Sequence, residues 1–403
     1  LALRQRRPIV WIIDSAGARV QELGGSFFST TGSLFREQVR LSGIVPQVSI
    51  IAGTGAAGTA YIPALSDCVI TVKESGSLAL GGPPLVEAVL GEKVTEQELG
   101  GWEVHNSRSG VSHFSADSDE DAINIARRYL SYFPSHCNEP PPRIEGAARG
   151  PLDDSVLSIV PDEPQAPFDM KEVIGHLNDP GPEPLYYMDA FGGSILTGWI
   201  RMGGFSVGVV ASQSLVLGGV LENDSSVKAA RFISLCDAFG IPLLFLQDVP
   251  GFLVGSRVEK NGIIRHGAKM LFAVSQATVP KMTIIVRKAY GAGYFVMCGK
   301  GFEPDYIAAW PTAEIALMGA EGAINILYGK KLSALPPEER TKQRKALEDG
   351  YRADVNAYSA AARFGIDDVI DPRHTVQRLV RVLELTRTKE RPKHPGMHGI
   401  FPV

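Results

Sequence analysis

Two short runs of small residues are the first places where this sequence could do chemistry. One is Gly53–Gly58, GTGAAG, and the other is KAYGAGY, which ends at Tyr294. Each follows an apolar stretch with strand character and leads into a helix pattern. The first run satisfies G-x-G-x-x-G, the spacing that lets a backbone approach a pyrophosphate. Yet no acidic residue closes a following strand about twenty residues on, where a ribose contact would sit. The second run lacks that glycine pattern at the same place. What both keep is a strand, then small residues, then a helix start. The first N–H groups of a helix have no intrahelical acceptor, and small side chains let a ligand reach them. Two adjacent N–H groups at such a turn make an oxyanion hole, suited to a thioester enolate or a similar anion. The bland alternative is close helix–strand packing. Two copies of the turn imply two anions in one reaction.

Side chains offer less. There is no G-x-S-x-G elbow and no nucleophile–base pair. His105 and His113, in GGWEVHNSRSGVSH, are candidates for acid–base work, with a structural role at a helix end as the stronger reading. Asp14 and Asp248 close equivalent strands and read as turn-formers. The eight histidines form no H-E-x-x-H or H-x-x-x-H pair, so no metal is expected on this chain. Cys68, Cys137, Cys236 and Cys298 lie far apart without C-x-x-C, which reads as buried reduced thiols in a cytosolic or matrix compartment.

The elements that must position the two turns come in duplicate. RPIVWIIDSAGA (7–18) resembles IPLLFLQDVPGF (241–252), and VPQVSII (45–51) resembles VPKMTII (279–285). All these anchors are separated by 234 residues. LALGG (78–82) resembles IALMG (315–319) at a separation of 237. Each copy reads as an apolar strand ending in Asp-x-x-Gly, a helix, a second apolar strand, the small-residue turn and another helix. That order implies an α/β fold, with parallel sheets covered on both faces and right-handed crossovers. The second copy adds a hairpin within GGSILTGWIRMGGFSVGVVASQ and a helix capped by Ser225 or Ser226. Counterparts of 187–234 are missing from the first copy, so its opening strands are expected to be absent in this numbering and the chain to be a fragment.

The expected organisation is a first domain over 1–135, a connector over 136–185 and a second domain over 186–403. Residues 134–184 hold 11 of the 27 prolines, which is linker composition, with a short helix over 169–177. Helices are expected at 119–133, 336–363 and 374–388. The stretch between Arg40 and Asp67 is uncharged but carries Pro46, Pro63 and several glycines. It reads as a buried strand and turn rather than a membrane span. A net charge of −4 with 21% charged residues argues against nucleic acid as a partner.

The long segments IDSAGARVQE (13–22), GAAGTAYIPALSD (55–67), ELGGWEVHNSRSGVSH (98–113), DVPGFLVG (248–255), GIIRHGAKML (262–271), VPKMTIIVRKAYGAGYFVM (279–297) and AWPTAEIALMGAEGA (309–323) carry a resemblance over nearly the whole chain. The sequence resembles the carboxyltransferase (beta) subunits of biotin-dependent acyl-CoA carboxylases, the propionyl-CoA and methylcrotonyl-CoA group. The resemblance implies two tandem crotonase-like (ClpP/crotonase) ββα-superhelix domains and a homo-oligomer, a hexamer, built through contacts between the first and second domains of different subunits. It implies transfer of carboxyl from carboxybiotin to an acyl-CoA, with the biotin on a separate carrier chain that partners a biotin carboxylase. The N–H groups of Ala57 and Gly58 would face the thioester. Those of Ala292 and Gly293 would face the biotin ureido oxygen. Arg19 would meet a carboxylate, while Gly291, Tyr294 and Phe295 would contact substrate. Phe295 stands where relatives carry Asp, which makes the acyl pocket more apolar. A cytoplasmic location is implied, or the mitochondrial matrix in a eukaryote. A sodium-pump acyl-CoA decarboxylase subunit, running the transfer in reverse, a simple hydratase and a non-catalytic scaffold are the alternatives.

Overall fold

The computed structural model describes residues 1–17, 25–145 and 150–392. Its contacts divide into two compact units. One comprises 1–143, 185–192 and 235–241. The other comprises 144–184, 193–234 and 242–403. Among the described residues no helix is long and apolar enough to cross a membrane.

The first unit is built on β1 (Ile9–Ser15), β2 (Gln47–Ala56), β3 (Cys68–Val72), β4 (Ser77–Ala79) and β5 (Phe114–Ala116). They are parallel, in the order β1-β2-β3-β5, with β4 alongside the end of β2. A short strand β6 (Leu185–Tyr186) follows the connector. The second unit carries an antiparallel hairpin, β7 (Ile195–Met202) and β8 (Phe205–Ser212). Then come β9 (Leu243–Val249), β10 (Lys281–Tyr290), β11 (Tyr306–Ala309), β12 (Glu314–Ala316) and β13 (Asp368–Val369). Its order is β13-β11-β10-β9-β8-β7, with β12 alongside the end of β10.

The duplication is therefore topological. Strands β9, β10, β11 and β13 repeat β1, β2, β3 and β5, and β12 repeats β4. Register repeats as well: Ile9 faces Gln47 as Leu243 faces Lys281. The ladder breaks at the same place, between Ile13 and Ser15 in one copy and at the matching Gln247 and Val249 in the other. Each second strand carries extra residues there, which re-aims its last turn of chain towards the short third partner.

One expectation fails in the first unit. β9 is buried along its whole length, but β1 buries only Ile13 and exposes Val10 and Ile12. β8 lies beyond β9, whereas β1 is the edge strand of its sheet. An apolar strand signals two covered faces only when neighbours exist to cover them.

The Pro-rich connector is packed. Leu152, Val156, Phe168, Met170, Val173 and Leu177 are buried, and the helix Met170–Leu177 is capped by Asp169, whose carboxylate accepts the Lys171 N–H at 2.9 Å. Helix Asp119–Leu130 begins at an N-cap Ser118. The charged tail is two helices, Pro337–Val355 and Ala357–Ala362, divided at Asn356, whose side chain caps the second. Thr375–Leu385 follows. The helix after the hairpin starts at Asn223, three or four residues earlier than a cap at Ser225 or Ser226 implies. Glu222 accepts the Asp224 and Ser225 N–H groups, so the serine hydroxyls turn back onto Glu222 instead of capping. Cys68, Cys236 and Cys298 are buried and none of the four cysteines forms a disulfide; burial pushes the Cys298 thiol up to about 11.

Candidate active site

The first small-residue run is not a phosphate loop. Gly53 and Gly55 lie inside β2, and both are glycine for packing. A β-carbon on Gly53 would fall 2.3 Å from an Asp14 carboxylate oxygen. One on Gly55 would fall 2.5 Å from Leu78. The turn proper begins at Ala57. Its φ is +53°, and it opens a short 3₁₀ helix, Ala57–Ala60, with no side-chain cap. In the second unit Gly291 has φ +54° and opens the helix Gly291–Val296, again without a side-chain cap. The two left-handed residues are 234 apart, so Ala57 matches Gly291 and Gly58 matches Ala292.

By this register the residues matching Ala57 and Gly58 are Gly291 and Ala292, which overlap the expected pair Ala292 and Gly293 at one residue. Ala57, Gly58 and Ala292 are exposed and Gly291 is half-buried, but Gly293 is buried. A β-carbon there would lie 2.7 Å from Val249 and 3.1 Å from the backbone of Gly251. Gly251, φ +131°, is the glycine of the Asp-x-x-Gly turn. Its counterpart Gly17, φ +95°, packs against Ala56 and Ala57 in the same way. In each copy, then, the glycine after the first strand makes room for the helix start after the second.

Tyr294 braces this element. Its hydroxyl accepts the Lys300 N–H at 2.9 Å and its ring occupies the space over Gly299. Phe295 points outward, 48% exposed, with its ring centroid 6.4 Å from that of Phe302. Arg19 lies outside the described residues.

The histidines are structural. The His113 ring accepts the Val69 N–H at 2.9 Å and meets the Tyr187 hydroxyl at 3.2 Å. His105 bridges the Leu78 carbonyl and the Ser109 hydroxyl, both at 2.8 Å. Asp248 does more than form a turn. It is fully buried, it accepts two hydrogen bonds from the Arg287 guanidinium at 3.1 and 2.9 Å, and it takes the Lys288 N–H at 3.1 Å. Arg287 in turn donates to the carbonyls of Glu163 and Ala166.

Behind the second turn lies a cavity of about 360 Å³, lined among others by Lys288, Tyr290, Glu314, Gly319 and Arg352. The sequence reading missed these residues. Their signal was present as the charged and aromatic RKAY, set against the neutral GTGA at the matching place in the first copy. Burial pushes the Lys288 ammonium down, partly offset by Asp248 at 3.7 Å. Burial, and then the hydrogen bond to Glu314, push the Tyr290 hydroxyl up.

Comparison with known proteins agrees over the whole chain. The carboxyl transferase domain family matches residues 1–401. A propionyl-CoA carboxylase carboxyltransferase subunit of Haloferax mediterranei is 43% identical over 100% of this chain and 78% of its own. The methylmalonyl-CoA decarboxylase alpha subunit of Veillonella parvula is 41% identical over 100% of this chain and 77% of its own. The crystal structure of transcarboxylase 12S, a hexamer assembly with methylmalonyl-coenzyme A and methylmalonic acid bound, superposes with a TM-score of 0.93. It is 41% identical, covering 100% of this chain and 76% of that one.

Proposed function

This chain belongs to the carboxyl transferase domain family and is an acyl-CoA carboxyltransferase, and we propose that its two strand–helix turns are the two anion-stabilising halves of that reaction. The observation that carries the reading is the pairing of Ala57 with Gly291: two left-handed residues that open matching, uncapped helices at the ends of matching strands. The N–H groups of Ala57 and Gly58 hold the thioester oxygen as the enolate forms. Those of Gly291 and Ala292 hold the ureido oxygen of biotin presented by a separate carrier chain. Bound biotin would supply the carboxyl group as CO2 and accept the α-proton of the acyl-CoA; the N–H groups of Gly291 and Ala292 would stabilise the charge left on its ureido oxygen, and those of Ala57 and Gly58 the enolate that takes up the CO2. Neither step needs a side-chain base, which agrees with the structural roles of His105 and His113.

Support for a homo-oligomer comes from apolar side chains left in solvent. Leu80, Val89 and Leu90 in the first unit and Val254, Ile264, Leu317 and Ile326 in the second are all more than 60% exposed. Large exposed apolar side chains of this kind are the ones that association would cover.

The test is removal of one N–H at a time. Gly58→Pro and Ala292→Pro each delete a donor at the second residue of a helix, where no intrahelical bond is lost. Carboxyl transfer between methylmalonyl-CoA and biotin should fall at least ~10²-fold in each. Turnover at the wild-type level in a folded variant refutes the assignment. Gly293→Pro would not serve, because its ring would strike Val249.

A further inference from the structure

The two half-sites share a backbone but not its support. Where β10 carries Arg287, Lys288 and Tyr290, β2 carries Gly53, Thr54 and Ala56. Where β12 begins with Glu314, β4 begins with Ser77. These residues stand in the same register, Lys288 opposite Glu314 and Thr54 opposite Ser77. Tyr290 is the residue immediately before Gly291 and the N-cap of the helix that presents the second pair of N–H groups. Its hydroxyl donates to Glu314, and Arg352 approaches the other oxygen of that carboxylate at 3.7 Å. Its ring lies against Gly319, where a β-carbon would be 3.1 Å from it. The corresponding glycine in the first copy, Gly82, faces no such ring. In the first copy Thr54 and Ser77 both donate to Glu96, from a helix that follows β4, and the residue next to the turn, Ala56, carries only a methyl group. In the second, the residue next to the turn is itself tied through its hydroxyl to a carboxylate on the neighbouring strand.

We infer that Glu314 is a positioning residue of the second half-site, acting through Tyr290 to fix the Gly291–Ala292 turn. It touches no reacting atom. It sets where the N–H donors point, and donor placement within a fraction of an ångström governs how well they stabilise charge. Arg352 and, across the ladder, Lys288 stand beside the same carboxylate. The consequence is asymmetric. Loss of Glu314 should harm handling of biotin and leave binding of the acyl-CoA alone. The inference rests on the assignment of the second turn to biotin.

The experiment follows carboxyl transfer from methylmalonyl-CoA to free biotin by the full chain, with each substrate varied in turn. Glu314→Ala and Tyr290→Phe are each expected to raise the KM for biotin and to lower kcat, together about ten- to a hundred-fold in kcat/KM for biotin. KM for methylmalonyl-CoA should stay within about two-fold. The double variant should be no worse than either single, because the two act as one link. Glu314→Gln keeps an acceptor for the Tyr290 hydroxyl and should restore most of the loss, whereas a general packing defect would not be rescued. Ala292→Pro separates the two readings. If it cuts transfer while Glu314→Ala does not, the positioning role is wrong and the half-site stands. If Glu314→Ala changes KM for both substrates alike, the positioning role is also wrong. If Ala292→Pro leaves transfer intact, the assignment of the turn fails, and this inference with it.

Discussion

Ala57 holds a left-handed φ of +53° that costs a non-glycine residue of order 1 kcal/mol, and Gly291 holds the same conformation without that cost. Ala57→Gly should therefore change stability by less than about 0.6 kcal/mol, because relief of that strain is offset by the ~0.4–1 kcal/mol of entropy that a glycine adds to the unfolded chain. Thermal unfolding of wild type and variant checks this, and transfer activity should persist because the N–H is unchanged. We propose that Phe295 bears on substrate choice. Half-exposed on the helix that opens at Gly291, it offers an apolar face. An apolar wall favours a longer acyl chain by roughly 0.8 kcal/mol per buried CH₂, a few-fold per carbon. Activity on propionyl- or butyryl-CoA should equal or exceed that on acetyl-CoA, and Phe295→Asp should shift kcat/KM towards the shorter substrate. An unchanged order of substrates would show that the ring contacts none of them.

At the scale of the elements, the paired strands show how one scaffold takes two interiors. Asp14 fits because Gly53 has no β-carbon, and Asp248 fits because Arg287 neutralises it. Arg287→Met would leave Asp248 buried with only the Lys288 backbone N–H at 3.1 Å and the Lys288 ammonium at 3.7 Å. Breaking one side of a buried pair costs about 3–5 kcal/mol, which corresponds to a fall of roughly 10 °C in the unfolding midpoint. Asp248→Asn combined with Arg287→Met should cost less than Arg287→Met alone, and calorimetry on the three proteins would show it. Periodicity and caps made most helices legible, Asp119–Leu130 and Ile263–Gln276 among them. It misjudged the connector, because proline density reports a lack of regular structure and not a lack of packing: Met170, Val173 and Leu177 are buried.

For the whole molecule, the two turns proposed as half-sites lie in different compact units of one chain. If the working site forms between subunits, a Gly58→Pro chain mixed with an Ala292→Pro chain should recover part of the wild-type rate. Some sites would then draw both intact turns from different chains. Mixed oligomers, verified by differential tagging and mass measurement, that remain as inactive as either parent would place each site within one chain.

The sequence by itself determined the duplication, the alternation of strand and helix, the two small-residue turns and the family. All of these follow from residue types at fixed separations, which local propensity and burial translate directly into elements. The tertiary structure decided the rest. It matched Gly291 and Ala292 to Ala57 and Gly58, because backbone angle and strand register fix equivalence where small residues are interchangeable in a string. It turned His105 and His113 into struts, since their partners Leu78 and Val69 lie 27 and 44 residues away. It also brought Glu314 to Tyr290 across 24 residues, a contact made by parallel pairing of strands that no local pattern encodes.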